Sequence, residues 1–394
     1  MSGNFSLNCP FLYNNNLILR GIRMNETFTI ETTDVYEPVL YRLNNPAEKA
    51  AYHILLTSEK TIRVFDEILN QLKELIKCIN PSKKFKNEDL PELIKQHLNG
   101  SSLQEYGVWV YYPWNQSLLH ILDEEEFVEV RTNRNRNKIT RQEQEVLKTK
   151  RIGIIGLSVG QSIALTIAME RTCGEIRLAD FDTAELSNLN RLRTPLHNIG
   201  LNKAVIAARE IAEIDPFIKI TIYKEGLNES NMNDFFLKDG KIDLMVEVCD
   251  SLEIKIISRI NARAQKIPVI MDTNDRGMLD IERFDLQPDR PILHGLVGDL
   301  DSDSLRNLND LEKMSLIMRI VGKETISERL RESIFELGKT ISNLPQLASS
   351  VVLGGAITTD AARRILLDFN KDSGRYYIDT EQLVSSRMNT QIII

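Results

Sequence analysis

Strands and helices alternate regularly along residues 151–274, and this alternation constrains the fold more than any other feature of the sequence. The series begins with RIGIIG at Arg151, an apolar run that ends in glycine, as a buried parallel strand does before a turn. Further strands are predicted at 175–182, 218–225, 242–250 and 267–274, with helices at 160–171, 201–215 and 254–266. This spacing predicts an α/β fold with a doubly wound, mostly parallel, Rossmann-like sheet.

The segments that flank this unit have other patterns. We predict a smaller mixed α+β domain before it, with a strand at 27–35, an amphipathic helix at 60–78 and a hairpin within 106–124. After about residue 300 the pattern predicts mainly helices, at 304–318, 325–342 and 356–369. The predicted organisation is an N-terminal domain (1–130), a basic linker and helix (131–150), the α/β domain (151–369) and a polar C-terminal tail (370–394).

Composition limits the classes of function. A chain of 394 residues favours two domains. Its 49 basic and 56 acidic residues give a net charge of −7, which argues against nucleic acid as the main partner. The four cysteines show no C-x-x-C pair, so neither a disulfide framework nor a zinc ribbon is expected. We see no signal peptide and no long apolar span, and therefore predict a cytoplasmic protein without a membrane partner.

The turn after the first strand, GLSVGQS, opens a helix and offers unpaired backbone N–H groups to a phosphate. Gly156 permits the tight turn, and Ser158 and Gly160 lie within it. As a dinucleotide fingerprint the turn is incomplete, because Ser158 and Gln161 stand where further glycines are typical. On its own this turn is equally well explained as a purely structural connection.

Charged residues at the following strand ends are more specific. Asp180 and Asp182 close the second strand and suit a ribose diol, and Asp250 closes the fourth. Arg191, in the motif SNLNR, and Lys203 follow the second strand and can reach the same crevice. Two cations, three carboxylates and a helix N-terminus meet the requirements of a nucleoside triphosphate with magnesium, because cations neutralise phosphates and carboxylates hold the metal.

The order of these motifs resembles the adenylation domain of the ThiF, MoeB and ubiquitin-activating-enzyme superfamily. The shared elements are the glycine turn, the D-F-D strand end, S-N-L-x-R, the lysine and the later aspartate, and residues 346–367 resemble the closing helix of that family. The resemblance covers about 131–367 and is nearest to bacterial ThiF-type proteins of the kind sometimes joined to a nitroreductase-like domain. Zinc-binding cysteine pairs, which several members have, are absent.

The resemblance implies roles for individual residues. Gly156 would lie under the nucleotide and Asp180 would bind the ribose. Asn188, Arg191 and Lys203 would contact the phosphates, and Asp250 would organise Mg²⁺. A further arginine in the family comes from a run before the first strand and often completes the partner subunit's site. The candidates here are Arg131, Arg134 and Arg136, and the implied assembly is a homodimer.

The function implied is an ATP-dependent adenylyltransferase that activates a carboxylate as an acyl-adenylate. The expected acceptor is the C-terminus of a ubiquitin-like or sulfur-carrier protein, or a small carboxylate. No cysteine follows Cys249, so we expect the enzyme to form no thioester of its own. Two alternatives stay open. One is a catalytically degenerate nucleotide-binding or scaffold module, which Ser158, Gln161 and Ser251 would favour. The other is an NAD(P)-dependent oxidoreductase, which leaves Arg191 and Lys203 unexplained.

Overall fold

The computed structural model describes residues 34–59, 61–298 and 308–384, and its first part is a four-stranded sheet. The strands are β1 (Val39–Tyr41), β2 (Arg63–Asp66), β3 (Val108–Tyr112) and β4 (Ser117–Ile121), in the order β1-β3-β4-β2. β3 is antiparallel to both neighbours, whereas β2 runs parallel to β4. The accompanying helices are α1 (Pro46–Ser58), α2 (Ile68–Ile79), α3 (Leu90–Leu98) and α4 (Glu124–Arg131). The strand predicted at 27–35 lies almost wholly outside the described residues.

The helix predicted at 60–78 is correct only in its second part. Residues 63–66 form the edge strand β2, and α2 begins at Ile68. The helical period is real from there, because Ile68, Leu72 and Leu75 are buried on one face. Val64 and Phe65 are instead exposed on the edge strand. Phe65 matches the helical spacing of α2 only by coincidence, because a short apolar run is compatible with the period of a helix or of a strand.

The second part is a seven-stranded sheet preceded by the short helix α5 (Arg141–Lys148). Its strands are β5 (Arg151–Ile155), β6 (Glu175–Ala179), β7 (Lys219–Tyr223), β8 (Leu244–Glu247), β9 (Val269–Thr273), β10 (Met278–Glu282) and β11 (Gly374–Tyr377). The order is β11-β10-β9-β8-β5-β6-β7, and the five strands from β9 to β7 are parallel. The doubly wound, mostly parallel sheet predicted from the sequence is therefore confirmed.

Helices cover both faces of this sheet. They are α6 (Gly160–Glu170), α7 (Lys203–Ile214), α8 (Met232–Leu237), α9 (Leu252–Ala264), α10 (Asp310–Val321), α11 (Glu328–Glu336), α12 (Ala348–Leu366) and α13 (Thr380–Leu383). One core contains α6, α7 and α12, and the other contains α8 and α9. Among the described residues, no helix is long and apolar enough to cross a membrane.

Two antiparallel strands, β10 and β11, extend the sheet beyond β9. The polar C-terminal tail predicted at 370–394 is wrong for residues 374–377, which form β11. Residues 374–377 pair with β10, because the backbone of an edge strand needs a partner on one side only and tolerates polar side chains. Residues 385–394 lie outside the described part of the chain.

The four-stranded sheet packs against the C-terminal end of α7. The Tyr112 hydroxyl donates to the carbonyl oxygen of Ala212 at 2.9 Å, and the Trp114 indole donates to the Glu213 carboxylate at 2.6 Å. Phe127 meets Phe217 edge to face, with 5.3 Å between the ring centroids. The two parts of the chain therefore share apolar and polar contacts rather than being joined by a linker alone.

Candidate functional site

The central strands β8, β5 and β6 are neighbours in the sheet, and their carboxyl ends form one crevice. Gly156 follows β5, Asp180 follows β6 and Asp250 follows β8. The chain leaves β5 for β6 on one side and later returns to β8 on the other, which makes this the topological switch point where ligands of such sheets bind. The strand ends named from the sequence thus meet in a single place.

Gly156 allows the turn to press against the segment that carries Asp250. Its φ is +88°, and its N–H donates to the carbonyl oxygen of Ala179 at 2.9 Å. A Cβ atom here would lie 2.8 Å from the Cα of Cys249. Any side chain would therefore both strain the backbone and displace the loop after β8.

Asp180 joins two of these strand-end loops. Its carboxylate accepts the N–H of Leu157 at 2.6 Å and the N–H of Asp182 at 2.8 Å, and the residue is 8% exposed. Burial raises the pKa of this carboxyl, and the two N–H groups partly offset the effect. Asp180 therefore links the glycine turn to the loop after β6, and the sequence alone does not indicate this contact. Its assignment to a ribose stays a prediction.

Lys203 begins α7, and its ammonium donates to the Asp182 carboxylate at 2.8 Å. The lysine is 6% exposed, whereas the Asp182 side chain is about half exposed. Asn202 caps the helix through its side-chain oxygen and donates its amide to the carbonyl oxygen of Asp180 at 3.0 Å. These contacts fix the lysine at the crevice, next to the strand end that precedes it.

Arg191 lies across the glycine turn. Its Nε donates to Ser158 Oγ at 3.0 Å, and Nη1 donates to Asn190 Oδ1 at 3.0 Å. Partial burial lowers the pKa of the guanidinium, and the nearby negative charge of Asp250 opposes that shift. Asn188, by contrast, is 8% exposed, and its Oδ1 accepts the N–H of Glu185 in its own turn. Its predicted phosphate contact is untested.

Gln161 is a second polar residue that holds the arginine segment. Its amide nitrogen donates to the carbonyl oxygen of Arg193 at 3.2 Å and to Glu210 at 2.5 Å, and its Oε1 accepts the N–H of Arg193 at 3.0 Å. Burial raises the pKa of Glu210 to about 7. In the sequence, Gln161 stands out only as a departure from glycine. Its polar side chain in a mostly apolar helix is the one feature of the sequence that indicates a structural role.

A layer of buried charge supports the loop that carries Asp250. Glu247 is fully buried and accepts the N–H of Cys249 at 2.8 Å. It also accepts from Lys255 at 2.8 Å and from Arg259 at 2.5 Å. Burial alone would raise the pKa of Glu247, but these two cations outweigh it and lower the pKa to about 2. Asp250 itself is exposed at the crevice.

A cavity of about 900 Å³ opens beside Asp250. It extends between the carboxyl end of β9, the turn at 274–277 and the helices α10 to α13, and it is lined by both polar and apolar residues, including Asn274, Ile320, Leu353 and Tyr377. A pocket of this size accommodates a small organic ligand or a short segment of peptide.

Asp272 lies in the wall of this cavity without a hydrogen-bond partner for either carboxyl oxygen among the described residues. It is 4% exposed, and burial raises its pKa to about 8. Gly354 of α12 faces it so closely that a Cβ atom would lie 2.1 Å from Asp272 Oδ2. The helix thus covers this carboxyl, which holds its proton to a higher pH than an exposed aspartic acid does. The sequence analysis did not single it out.

The basic run at 131–136 lies at the other end of the sheet. Arg131 bonds to Asp215 at 3.2 Å and to the carbonyl oxygen of Ala168, near the end of α6. Arg136 pairs with Glu129 of its own chain, and Arg134 is exposed. Within one chain, then, these arginines do not join the crevice residues. Their predicted role in a partner subunit's site is untested.

The donor set for a metal is small. Among the described residues, no group of three or more His, Cys, Asp or Glu side chains is placed to hold a metal ion. Asp250 does present an exposed carboxylate beside the glycine turn. Mg²⁺ is often held by one or two carboxylates together with the phosphates of a nucleotide. The residues present fit a metal that arrives with its nucleotide, rather than one bound by the protein alone.

Comparison with known proteins shows which family these features resemble. Residues 132–311 match the model of the ThiF family. The uncharacterized protein MT1398 of Mycobacterium tuberculosis is 45% identical over 277 residues, which are 70% of this chain and 38% of that protein. The chain thus spans under two fifths of the length of this relative. Ubiquitin-like modifier-activating enzyme 5 of Caenorhabditis elegans is 25% identical over 29% of each chain. The tRNA threonylcarbamoyladenosine dehydratase of Bacillus subtilis is 26% identical over 39% of this chain and 60% of its own.

Among solved structures, Escherichia coli tRNA N6-threonylcarbamoyladenosine dehydratase is similar with a TM-score of 0.43 and 17% identity, over 60% of this chain and 94% of its own. Escherichia coli MccB is similar with a TM-score of 0.40 and 16% identity, over 58% of each chain. The motif order, the Rossmann-like sheet and the matching family model agree. Residues 132–311 match the ThiF family model, which confirms the predicted resemblance to the ThiF/MoeB-like superfamily.

Proposed function

We propose that this chain is an ATP-dependent adenylyltransferase that activates a carboxylate. The observation that carries the proposal is that Arg191 and Lys203 follow β6 and Asp250 follows β8, on either side of the turn at Gly156 that follows the adjacent strand β5. The match of residues 132–311 to the ThiF family model supports it. So does similarity to a ubiquitin-like modifier-activating enzyme, whose name states an activating role.

In the proposed reaction a substrate carboxylate oxygen attacks the α-phosphorus of ATP. The new P–O bond forms as the bond to the β-phosphate breaks, so that pyrophosphate leaves and an acyl-adenylate remains. A carboxylate is already ionised near pH 7, so no general base is required. The protein contributes positioning and charge: Arg191 and Lys203 stabilise negative charge on phosphate oxygens. We assign backbone contacts with the phosphates to the turn that contains Gly156, Ser158 and Gly160.

We further propose that the metal is Mg²⁺ held on the nucleotide and contacted by Asp250. The ion would neutralise phosphate charge when bound. We assign the ribose to the place beside Asp180 and Asp182. The ion pair between Asp182 and Lys203 would then fix the distance between the residues that contact the ribose and those that contact the phosphates. Removal of divalent ions by a chelator should abolish turnover while the far-ultraviolet circular dichroism stays unchanged.

The acyl part of the substrate would lie in the cavity beside Asp250. We propose the C-terminus of a ubiquitin-like or sulfur-carrier protein as acceptor, with a small carboxylate as the alternative. The cavity admits either, because an extended peptide end and a small organic acid both fit about 900 Å³.

The enzyme is proposed to pass its adenylate to an external nucleophile rather than to its own cysteine. Cys249 is partly buried and borders the cavity, but burial and the neighbouring Glu247 carboxylate raise the pKa of its thiol, which keeps it poorly nucleophilic. Cys173 is fully buried, and its thiol pKa is raised for the same reason. We therefore expect Cys249→Ala to retain pyrophosphate exchange. A thiol-reversible acyl adduct that disappears in this variant would contradict the proposal.

Exchange of labelled pyrophosphate into ATP tests the proposed function directly. The exchange should require a carboxylate acceptor and divalent ions, and candidate peptides ending in Gly-Gly should be compared with small organic acids. A chain that binds ATP without exchange for any acceptor would instead favour the nucleotide-binding scaffold. Hydride transfer to NAD(P)⁺ would favour an oxidoreductase, but the crevice cations have no role in that reaction.

A further inference from the structure

Ser158 and Gln161, which stand where further glycines are typical after β5, both contact the segment that carries Arg191. Ser158 Oγ accepts the Nε–H of Arg191 at 3.0 Å. Gln161, one helical turn further on, makes two bonds to the backbone of Arg193. Residues at these positions were expected to weaken a nucleotide site. Instead, each makes a contact that a glycine would lack.

The Gln161 contacts fix the loop in a definite way. The side-chain amide is 2% exposed, and its oxygen and nitrogen pair with the N–H and C=O of one residue, Arg193. Its second N–H donates to Glu210 of α7. The amide thus ties α6, the arginine segment and α7 together. Without it, a backbone N–H and C=O and a buried carboxyl would each lose a partner.

The Ser158 contact fixes the arginine side chain. A long arginine otherwise samples many rotamers, and binding an anion would cost that freedom. Here Nε is held by Ser158 and Nη1 by Asn190. The remaining nitrogen, Nη2, makes no hydrogen bond with the described residues. The guanidinium can therefore receive a phosphate oxygen without first being ordered.

We infer that Ser158 and Gln161 are positioning residues that hold Arg191 over the glycine turn before ATP binds. This inference rests on the proposed function for the identity of the ligand. The inference also gives a reason why Ser158 and Gln161 stand where glycines are typical. Glycines would let the backbone approach the phosphates closely, whereas these two side chains hold a cation ready to bind them. On this reading the incomplete glycine pattern is no sign of a degenerate site.

Three variants and one matched control test the inference. Ser158→Ala and Ser158→Gly remove the hydroxyl, and Gln161→Ala removes the amide. Gln144→Ala is the control, because Gln144 is also buried in a helix and also donates to a backbone carbonyl, that of Arg171 at 2.8 Å, but at the other end of the sheet. ATP affinity is measured by calorimetry, and backbone hydrogen exchange is followed at residues 191–194.

We expect about tenfold weaker ATP binding in each of the three variants and unchanged binding in Gln144→Ala, because each lost bond restrained a charged group or its loop. Exchange at the Arg193 amide should rise in Gln161→Ala but not in the control. In turnover, KM for ATP should rise more than kcat falls. Ser158→Thr, which keeps a hydroxyl, should restore part of the affinity lost in Ser158→Ala.

The outcomes separate the inference from the proposed function. Wild-type affinity in all three variants, or tighter binding in Ser158→Gly, would overturn the positioning role while leaving adenylation intact. Weakened binding in the variants of a chain that shows no pyrophosphate exchange would overturn adenylation and support the positioning role. Unchanged exchange at Arg193 in Gln161→Ala would overturn the inference whether or not the chain turns over.

Discussion

Single residues at the crevice carry the first prediction. Arg191→Ala, Lys203→Ala and Asp250→Ala should each reduce pyrophosphate exchange by about a hundredfold, because each removes a fixed charge near the reacting phosphates. Circular dichroism should show that the fold is retained. Lys371→Ala, an exposed lysine paired only with Asp368 in the described structure, serves as the control and should keep full activity. Full activity in all three crevice variants would refute the site.

Asp272 gives a prediction about pH. Burial raises the pKa of this carboxyl from 3.8 to about 8, so the folded state holds its proton more tightly than the unfolded state. Its contribution to stability is therefore full at low pH and is lost as the pH rises from about 4 to 8, by ~1.4 kcal/mol per pH unit at most. Asp272→Asn should remove this loss.

The measurement is urea unfolding of both proteins at several pH values. The free energy of unfolding of Asp272→Asn, relative to the native chain, should increase steadily up to pH 8. A difference that is constant over this range would show that the carboxyl is already ionised or is hydrated in solution.

Among single residues, the sequence identified the candidate site residues better than the contacts that those residues make. Arg191, Lys203 and Asp250 are recognisable because their order along the chain matches a family motif. The partners of Ser158 and Gln161 are not, because they lie more than thirty residues away and meet only after α6 and the arginine segment pack together. Asp272 was overlooked because its unusual environment comes from Gly354, a residue of the distant helix α12.

Among the structural elements, the turn from β5 to α6 gives a prediction with an internal control. Gly156 and Gly200 have φ values of +88° and +90°, but only Gly156 has backbone atoms of another segment within contact distance of a Cβ. Gly200→Ala should cost about 1 kcal/mol from backbone strain alone. Gly156→Ala should cost more and should also reduce ATP binding, because the loop at Cys249 must move.

Thermal unfolding and calorimetry of the two variants provide the comparison. If both substitutions lower the melting temperature equally and neither affects ATP binding, the contact between Gly156 and the loop after β8 contributes neither to stability nor to ATP binding.

Elements with a clear pattern were predictable, and short strands of mixed composition were not. The strands β5, β8 and β9 are largely buried and consist mostly of apolar residues. β11 escaped prediction because it is a four-residue edge strand, and β10 did so because Asp280 and Glu282 interrupt its apolar residues although the strand is buried. The strand β2 was misread for a related reason, since four residues contain too little of either period.

The whole molecule is predicted to be a homodimer in which one subunit supplies an arginine to the other. Arg136 is paired with Glu129 within its own chain, so the exposed Arg134 is the better candidate. Mixing an Asp250→Ala chain with an Arg134→Ala/Arg136→Ala chain should restore part of the exchange activity, because one intact site can form. Neither chain alone should be active.

Analytical ultracentrifugation checks the assembly itself. A single monomeric species at concentrations well above those of the assay would remove the basis for an arginine acting between subunits, and the two variants would then fail to complement each other.

At the largest scale, regular alternation was enough to predict the doubly wound sheet, because the connections between its strands are local in sequence. The junction between the four-stranded sheet and α7 was not predictable. Tyr112 and Ala212, or Trp114 and Glu213, are about a hundred residues apart, and no local pattern reports such a pairing.

The position of both tryptophans near that junction also determines which part of the protein tryptophan fluorescence reports on. Both tryptophans belong to the N-terminal part: Trp109 stacks on His120 with 4.2 Å between the ring centroids, and Trp114 bonds to Glu213. Neither lies at the crevice. Intrinsic emission therefore reports on the small sheet and its docking onto α7. Nucleotide titrations followed by tryptophan fluorescence should show almost no signal change, and an unfolding curve recorded in this way should describe the N-terminal part rather than the proposed ATP site.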